Sequence, residues 1–513
     1  MAEGKGPNGH GAGTRLGALL TETQAARPAV EAARQRPEPV APAAPSAGPA
    51  DVAGAASLPG VLPVSPQDVQ ELRLRVADDI KEERQRRGHP LERQDVEEVA
   101  EAFTHRRVAE WAAEHALTHP PLTREQQEQL RTEVFNLFFL AGSLQQVLNR
   151  PGVENIVLDG SWMYIDYIDQ PRQKVPSPFG SDKRALDWVN QMASQSGHGE
   201  RQLTYANGWV DFRLPDDSRV AATVLTSRQA IAIRRHRMEK AGLSDLVGWG
   251  TLDPLLATFL SACVKAGLNV VLAGDMNSGK TTMLRALGRE IPARERVVTL
   301  ETDRELLLDN DDTPAHVLAF ESRASNGERD DSGRLIGEIT IADLVPVSLR
   351  YNATRVMVGE VRSDEAVPML EAMSAGGSGS MCTLHARDPE GVIERLMLRL
   401  SMAGLTDNAA SRLIATAVDL IVYIDMIDEL EIGGRLHRFV SHVWEVDGRS
   451  ESGGVALTRL FAPQGEDPRA MPTKAPMTAR RIAKLERKAD FDRRWLAAYP
   501  QGQWPPMELV RPT

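Results

Sequence analysis

The chain has 513 residues, a formal net charge of −11 and an apolar fraction of 42%. This length exceeds one ordinary hydrophobic core and predicts three or four units of about 150 residues each. The acidic balance argues against a protein that coats nucleic acid, because neutralising phosphates needs a basic surface. The two cysteines, Cys263 and Cys382, exclude a disulfide framework and favour a reducing compartment.

No stretch approaches the roughly 18 to 20 continuous apolar residues that span a bilayer, and the N-terminus lacks an apolar segment of the signal-peptide type. These features predict a globular protein that stays in the cytoplasm. Contact with a membrane is then expected only through a partner.

The chain divides by composition into five predicted regions. Residues 1–62 are rich in Ala, Pro and Gly without an apolar period, which predicts a disordered tail. Residues 63–150 show helical spacing of apolar side chains, and residues 151–240 combine short β-prone segments with turns, as in a small α+β N-terminal domain. Residues 250–433 form the main predicted domain. Residues 434–513 are a C-terminal extension whose basic tail indicates a solvated helix or, as a second interpretation, a patch for an acidic partner or a membrane surface.

The main predicted domain alternates apolar strands with helices. Asp253 can cap a helix with Pro254 at its first position, and Cys263 falls on the apolar face of that helix. The predicted strands cover residues 270–273, 297–300, 355–358 and 381–384. Continuous apolar strands between helices predict an α/β fold with a parallel sheet buried on both faces.

A phosphate-loop pattern, G-x-x-x-x-G-K-[ST], follows the first of these strands and opens a helix. It consists of Gly274, Asp275, Met276, Asn277, Ser278, Gly279, Lys280 and Thr281, with Thr282 next in the chain. Its glycines allow the backbone amides to wrap phosphate oxygens at a helix N-terminus. We expect Lys280 to reach the β- and γ-phosphates of ATP, and the Thr281 hydroxyl to ligate Mg²⁺.

Two carboxylates and one histidine follow other predicted strands. Glu301 comes directly after residues 297–300, Glu360 lies two positions after residues 355–358, and His385 follows residues 381–384. Each alone also fits an ordinary surface or structural residue. Together, at the carboxyl edge of a parallel sheet, they favour a catalytic site. Either glutamate could orient or deprotonate the attacking water, and both remain candidates for the base.

These segments together resemble the type II/IV secretion ATPase superfamily. The segments are the phosphate loop, ETDREL from position 301, VGEVR from position 358 and GGSGSMCTLH from position 376, and they resemble its Walker A, aspartate-box, Walker B and histidine-box motifs. The CpaF/TadA-type branch, which comprises tight-adherence (Flp) pilus ATPases, is the most similar one. The resemblance runs from about residue 154 to residue 425.

Membership would imply a homo-hexameric, RecA-like P-loop NTPase, preceded by a small α+β domain, that drives pilus assembly or secretion through an inner-membrane platform. It would further imply that Arg219 and Arg234, which match the family's N-terminal-domain arginines, reach the nucleotide phosphates when the domains close. Thr281 and Glu360 are the implied magnesium ligands. No direct nucleic-acid partner is expected, and association with the inner face of the membrane would be peripheral.

Two positions depart from the family pattern. Thr302 follows Glu301 where the family has aspartate, with Asp303 one position later, and Gly377 stands where histidine is common. Slow hydrolysis is therefore one expectation. Two alternatives stay open: a DNA-moving ATPase of conjugation, and a nucleotide-gated scaffold that hydrolyses little ATP.

Overall fold

A computed structural model describes residues 64–87, 93–139, 141, 144–168, 170–196, 202–235, 240–310, 313–323, 325, 336–363, 365–374 and 378–510. The predicted tail, residues 1–62, and Gly377 lie outside the described residues. Those that are described form two compact units, residues 64–235 and residues 240–510. The helical region and the α+β region predicted as separate domains therefore fall in one unit.

The first unit begins with three helices that pack on one another. They are α1 (Pro66–Arg87), α2 (Arg93–His115) and α3 (Arg124–Phe139). Their shared core includes Leu72, Val76 and Leu130, all fully buried. Burial of these apolar side chains stabilises helices whose intrinsic helix propensity alone would be marginal.

A six-stranded antiparallel sheet completes this unit. Its strands are β1 (Val153–Asp159), β2 (Trp162–Tyr167), β3 (Gln173–Pro176), β4 (Trp209–Arg213), β5 (Arg219–Thr223) and β6 (Ala230–Arg234), with helices α4 (Gln145–Leu148) and α5 (Asp182–Gln195). The strand order is β3-β2-β1-β6-β5-β4. Alternate residues of β2, β4, β5 and β6 are buried, and Trp188 and Val189 of α5 belong to the same core. This period of two is that of a sheet with one covered face.

The second unit is built on a nine-stranded sheet. Its strands are β7 (Val270–Gly274), β8 (Arg296–Glu301), β9 (His316–Glu321), β10 (Arg355–Val361), β11 (Met381–His385), β12 (Leu420–Asp428), β13 (Leu436–Arg449), β14 (Val455–Gln464) and β15 (Asp467–Pro472). The order is β15-β14-β13-β12-β7-β11-β10-β8-β9. Strands β7 to β12 pair in parallel, and β13 to β15 are antiparallel. Apolar clusters cover both faces. The predicted RecA-like α/β fold is confirmed.

The helices of this unit flank the parallel strands. They are α6 (Leu243–Gly248), α7 (Pro254–Ala266), α8 (Lys280–Gly288), α9 (Ile341–Ser348), α10 (Ala366–Ser374), α11 (Gly391–Met402), α12 (Asp407–Ala417), α13 (Ala479–Ala489) and α14 (Arg494–Ala498). The Asp253 carboxylate caps α7, as predicted, by accepting a hydrogen bond from the Leu256 amide at 2.6 Å. Cys263 is fully buried on that helix.

The chain after residue 433 is not separate from the sheet. The predicted boundary at 433/434 falls in the hairpin between β12 and β13, and three strands beyond it extend the sheet. The basic tail also differs from a solvated helix. Ile482 and Leu485 of α13 are buried in the core, and Arg481 forms ion pairs with Asp419 and Glu445. The apolar pattern in this tail covers too few residues to predict that this helix packs on the core.

Within the described part of the chain, no helix combines the length and apolar character needed to cross a membrane.

Candidate active site

The phosphate loop connects β7 to α8 through a turn that only certain residues allow. A side chain at Gly274 would collide with the carbonyl oxygen of Ile424 on the neighbouring strand β12. Gly279 has φ +95° and Asn277 has φ +61°, both in the left-handed region that glycine and asparagine tolerate best. The glycines of the motif are thus required by backbone geometry.

Lys280 is folded back across its own loop. The residue is 6% exposed, and its Nζ donates a hydrogen bond to the Asp275 carbonyl oxygen at 2.6 Å. Nearby, the fully buried Oγ of Ser278 has no hydrogen-bond partner among the described residues. The loop therefore brings together an ammonium group, an unsatisfied hydroxyl and the N-terminus of α8. This set of hydrogen-bond donors fits a polyphosphate.

The residues also fit Mg²⁺ bound together with a nucleotide. No group of three or more His, Cys, Asp or Glu side chains within the described ranges could hold a metal ion alone. Magnesium in nucleotide sites takes most of its ligands from phosphates and water, with one or two protein oxygens. Thr281, the second residue of α8, and Glu360 stay the predicted protein ligands.

His385 connects the loop to Glu360. Its Nδ1 lies 3.2 Å from Nζ of Lys280, and its Nε2 lies 3.2 Å from Oε1 of Glu360. An ammonium group only donates and an ionised carboxylate only accepts, so the neutral histidine protonated on Nε2 satisfies both contacts. Arg362 donates to the other carboxylate oxygen, Oε2, at 2.7 Å. Four side chains thus form one continuous line.

The two candidate glutamates differ sharply in proton affinity. Burial alone would raise the pKa of Glu360, but the hydrogen bonds from His385 and Arg362 outweigh burial and lower it to about 2. Burial raises the pKa of Glu301 to about 7, although its Oε2 accepts hydrogen bonds from the amides of Glu305 and Leu306. At neutral pH, Glu360 is a fixed anion, whereas Glu301 is close to its titration midpoint.

Glu301 packs against a glycine of the neighbouring strand. A Cβ at Gly359 on β10 would lie 3.2 Å from Cγ of Glu301, so a larger residue would displace that carboxylate. Glu301 ends β8, as predicted. Glu360 lies within β10, which continues to Val361, rather than beyond the predicted end of the strand at residue 358.

Arg219 and Arg234 belong to the other unit, where they are cross-strand neighbours on β5 and β6. Arg213 on β4 stands opposite Arg219 and continues the row. The predicted role of Arg219 and Arg234 at the nucleotide stays a prediction.

The fold and this constellation define an ATP-hydrolysing P-loop enzyme. Residues 185–449, more than half of the chain, match the family described as "Type II/IV secretion system protein". The chain belongs to that family.

Several known proteins are similar to this chain. A Mycobacterium tuberculosis protein named "Putative conjugal transfer protein" is 28% identical over 296 residues, 55% of this chain and 80% of that protein. The type IV secretion system protein PtlH of Bordetella pertussis is 32% identical over 190 residues, 37% of this chain and 53% of PtlH. Among solved structures, the Legionella pneumophila ATPase DotB is 19% identical, with 61% of this chain and 82% of that chain covered and a TM-score of 0.43.

Proposed function

We propose that this protein is a hexameric ATPase that hydrolyses ATP to drive protein secretion or pilus assembly through a membrane platform. The observation that carries the proposal is the line from Lys280 through His385 to Glu360, at the carboxyl edge of a parallel sheet in a chain of the secretion family. A phosphate loop alone would support only nucleotide binding. The carboxylates of Glu301 and Glu360, on strands of the same sheet, would supply what hydrolysis needs.

The two glutamates take different roles in this proposal. Glu301, whose pKa is about 7, is the general base, because a base works best when its pKa is near the operating pH. Glu360, whose pKa is about 2, stays ionised and orients water and the metal ion. Thr281 and Glu360 would hold Mg²⁺, which would supply positive charge against the phosphates. His385 holds the Glu360 carboxylate and the Lys280 ammonium group in a fixed relation.

Arg219 and Arg234 contribute charge from the N-terminal unit in this proposal. Their register as direct cross-strand neighbours on β5 and β6 supports a joint role for the two guanidinium groups. A guanidinium group that approaches the phosphates when the domains close would stabilise charge in the transition state. The hexameric ring, the tight-adherence pilus branch and a peripheral position at the inner face of the membrane belong to the same proposal and are supported by the motif order in the sequence.

A DNA-moving function in conjugation is the second candidate, because the similar mycobacterial protein carries a conjugal-transfer name. The net charge of −11 weighs against direct contact with DNA. Measuring ATP turnover of the purified protein with and without single-stranded DNA, across a salt series, separates the two. Secretion or pilus assembly predicts no effect of DNA, whereas salt-sensitive stimulation would favour conjugation.

The coupling to export is tested in cells. The Glu301→Gln allele should stop pilus formation or secretion while the protein still accumulates, and the Glu371→Gln allele, which changes an exposed glutamate on α10, should not. Continued export by the Glu301→Gln cells would contradict the proposal. Scaffold-like behaviour, motivated by Thr302, predicts instead normal export with negligible turnover.

A further inference from the structure

Arg438, on the antiparallel strand β13, contacts the phosphate loop from outside the predicted ATPase domain. Its Nε donates a hydrogen bond to the carbonyl oxygen of Asn277 at 2.7 Å. Its Cδ would lie 3.5 Å from a Cβ built on Gly279. The side chain therefore covers the turn that leads into α8.

The residue that Arg438 holds is in an unfavourable conformation. Asn277 has φ +61°, and a non-glycine residue in this region costs roughly 1 kcal/mol or more, although asparagine tolerates it better than most. Such a conformation persists only where its surroundings enforce it. A hydrogen bond from a guanidinium group to the carbonyl oxygen is charge-assisted and stronger than a neutral one.

The backbone of Arg438 is held in place by its strand. Arg438 pairs with Met426 of β12, and its neighbours His437 and Phe439 are buried. Two positions further on, the amide of Val440 donates to the carbonyl oxygen of Thr251 at 3.0 Å. Because this strand is fixed in the sheet, a contact from it restricts movement of the loop.

We propose that Arg438 is a positioning residue that keeps the phosphate loop in the conformation that receives ATP. It does so by holding the carbonyl oxygen of Asn277, which keeps this residue in the left-handed region. The proposal deepens the proposed function and rests on ATP binding at this loop. It also assigns a role at the nucleotide site to the antiparallel part of the sheet.

The test is a double-mutant cycle with ATP turnover as the readout. Arg438→Gln should raise KM for ATP about tenfold, a loss equivalent to one ordinary charge-assisted contact, with kcat within about twofold of wild type. The KM of Arg438→Lys should lie between those of wild type and Arg438→Gln. Glycine adopts the left-handed conformation without strain, so adding Arg438→Gln to Asn277→Gly should raise KM by less than about twofold. Arg435→Gln, an exposed arginine at the same hairpin, is the control.

The proposal would be overturned by an unchanged KM in Arg438→Gln, by a fall in kcat alone, or by losses that simply add in the double variant. Unfolding midpoints of all variants should match that of Arg435→Gln, and a lower midpoint in Arg438→Gln with a parallel loss of kcat would also count against it. Lys280→Ala distinguishes failure of the positioning role from failure of the ATP site itself. If Lys280→Ala is inactive while Arg438→Gln is normal, only the positioning role fails; if Lys280→Ala is active, the ATP site itself fails.

Discussion

Nζ of Lys280 lies 3.2 Å from Nδ1 of His385, so the phosphate loop after β7 is joined to the end of the adjacent strand β11. On its other side, the same imidazole reaches Glu360 on β10. One histidine thus links three consecutive parts of the sheet. Its ring can hold a cation and an anion at once only while it is neutral.

Replacing His385 should uncouple Glu360 from the loop. We expect His385→Ala to lower kcat by about 100-fold, because a small displacement of a positioned catalytic group can cost this much. KM for ATP should change less than kcat, because the loop amides remain. His316→Ala, which removes an exposed histidine on β9, is the matched control. An effect on KM with kcat preserved would show that His385 serves binding instead of chemistry.

The pH dependence of turnover should report Glu301. A base must be deprotonated to act, so kcat should rise with pH and reach half its maximum near pH 7, the value to which burial raises the pKa of Glu301. Glu301→Gln should lose most activity at every pH. A profile that rises instead below pH 5 would assign the base to a carboxylate with an ordinary or lowered pKa, such as Glu360.

The free energy of unfolding should depend on the same carboxyl group, but it should fall with rising pH where kcat rises. Folded Glu301 keeps its proton up to about pH 7, whereas an ordinary glutamate loses it near pH 4.5. The folded state therefore binds more protons in this window, and the free energy of unfolding falls as pH rises through it. Glu301→Gln should be more stable than wild type above pH 7, by up to about 3 kcal/mol, and the difference should shrink at pH 5.

Urea unfolding of the wild type and Glu301→Gln at pH 5 and pH 8 measures this difference. The exposed variant Glu371→Gln supplies the baseline for a simple change of charge. An equal difference between wild type and Glu301→Gln at the two pH values would contradict the raised pKa.

Arg481 should be essential for docking the C-terminal helix. Its guanidinium group pairs with Glu445, which is fully buried, at 2.8 Å and with Asp419 at 2.7 Å. Arg481→Ala leaves a buried carboxylate without its cation, which costs about 3 kcal/mol or more. Arg480→Ala changes the exposed neighbour on the same helix and should be nearly neutral. Equal unfolding midpoints for these two variants would show that α13 contributes little.

The sequence predicted the parts of the site that depend on local pattern. An apolar run followed by glycines and lysine identifies β7, the loop and α8, and apolar runs placed Glu301 and His385 at strand ends. It did not predict that His385 would stand between Lys280 and Glu360. That relation depends on β11 lying between β7 and β10, and strand order is set by tertiary packing instead of by any short segment.

The same reasoning explains the misplaced domain boundary. Glu445 looks like a surface residue in the sequence, and its burial becomes favourable because Arg481, 36 residues later, pairs with it and Thr478 donates two hydrogen bonds to it. Arg438 was likewise unassigned, because its contact with Asn277 spans 161 residues. Long-range ion pairs and backbone contacts of this kind leave no periodic signal.

The most direct test of the central claim is ATP turnover by purified Lys280→Ala beside wild type and Lys265→Ala, a lysine on α7 that pairs with Glu290. The site described above predicts that Lys280→Ala loses hydrolysis by at least about 100-fold while its unfolding midpoint stays close to that of wild type. Lys265→Ala should turn over ATP normally. Turnover at the wild-type rate by a folded Lys280→Ala would contradict the assignment of this loop as the site of hydrolysis.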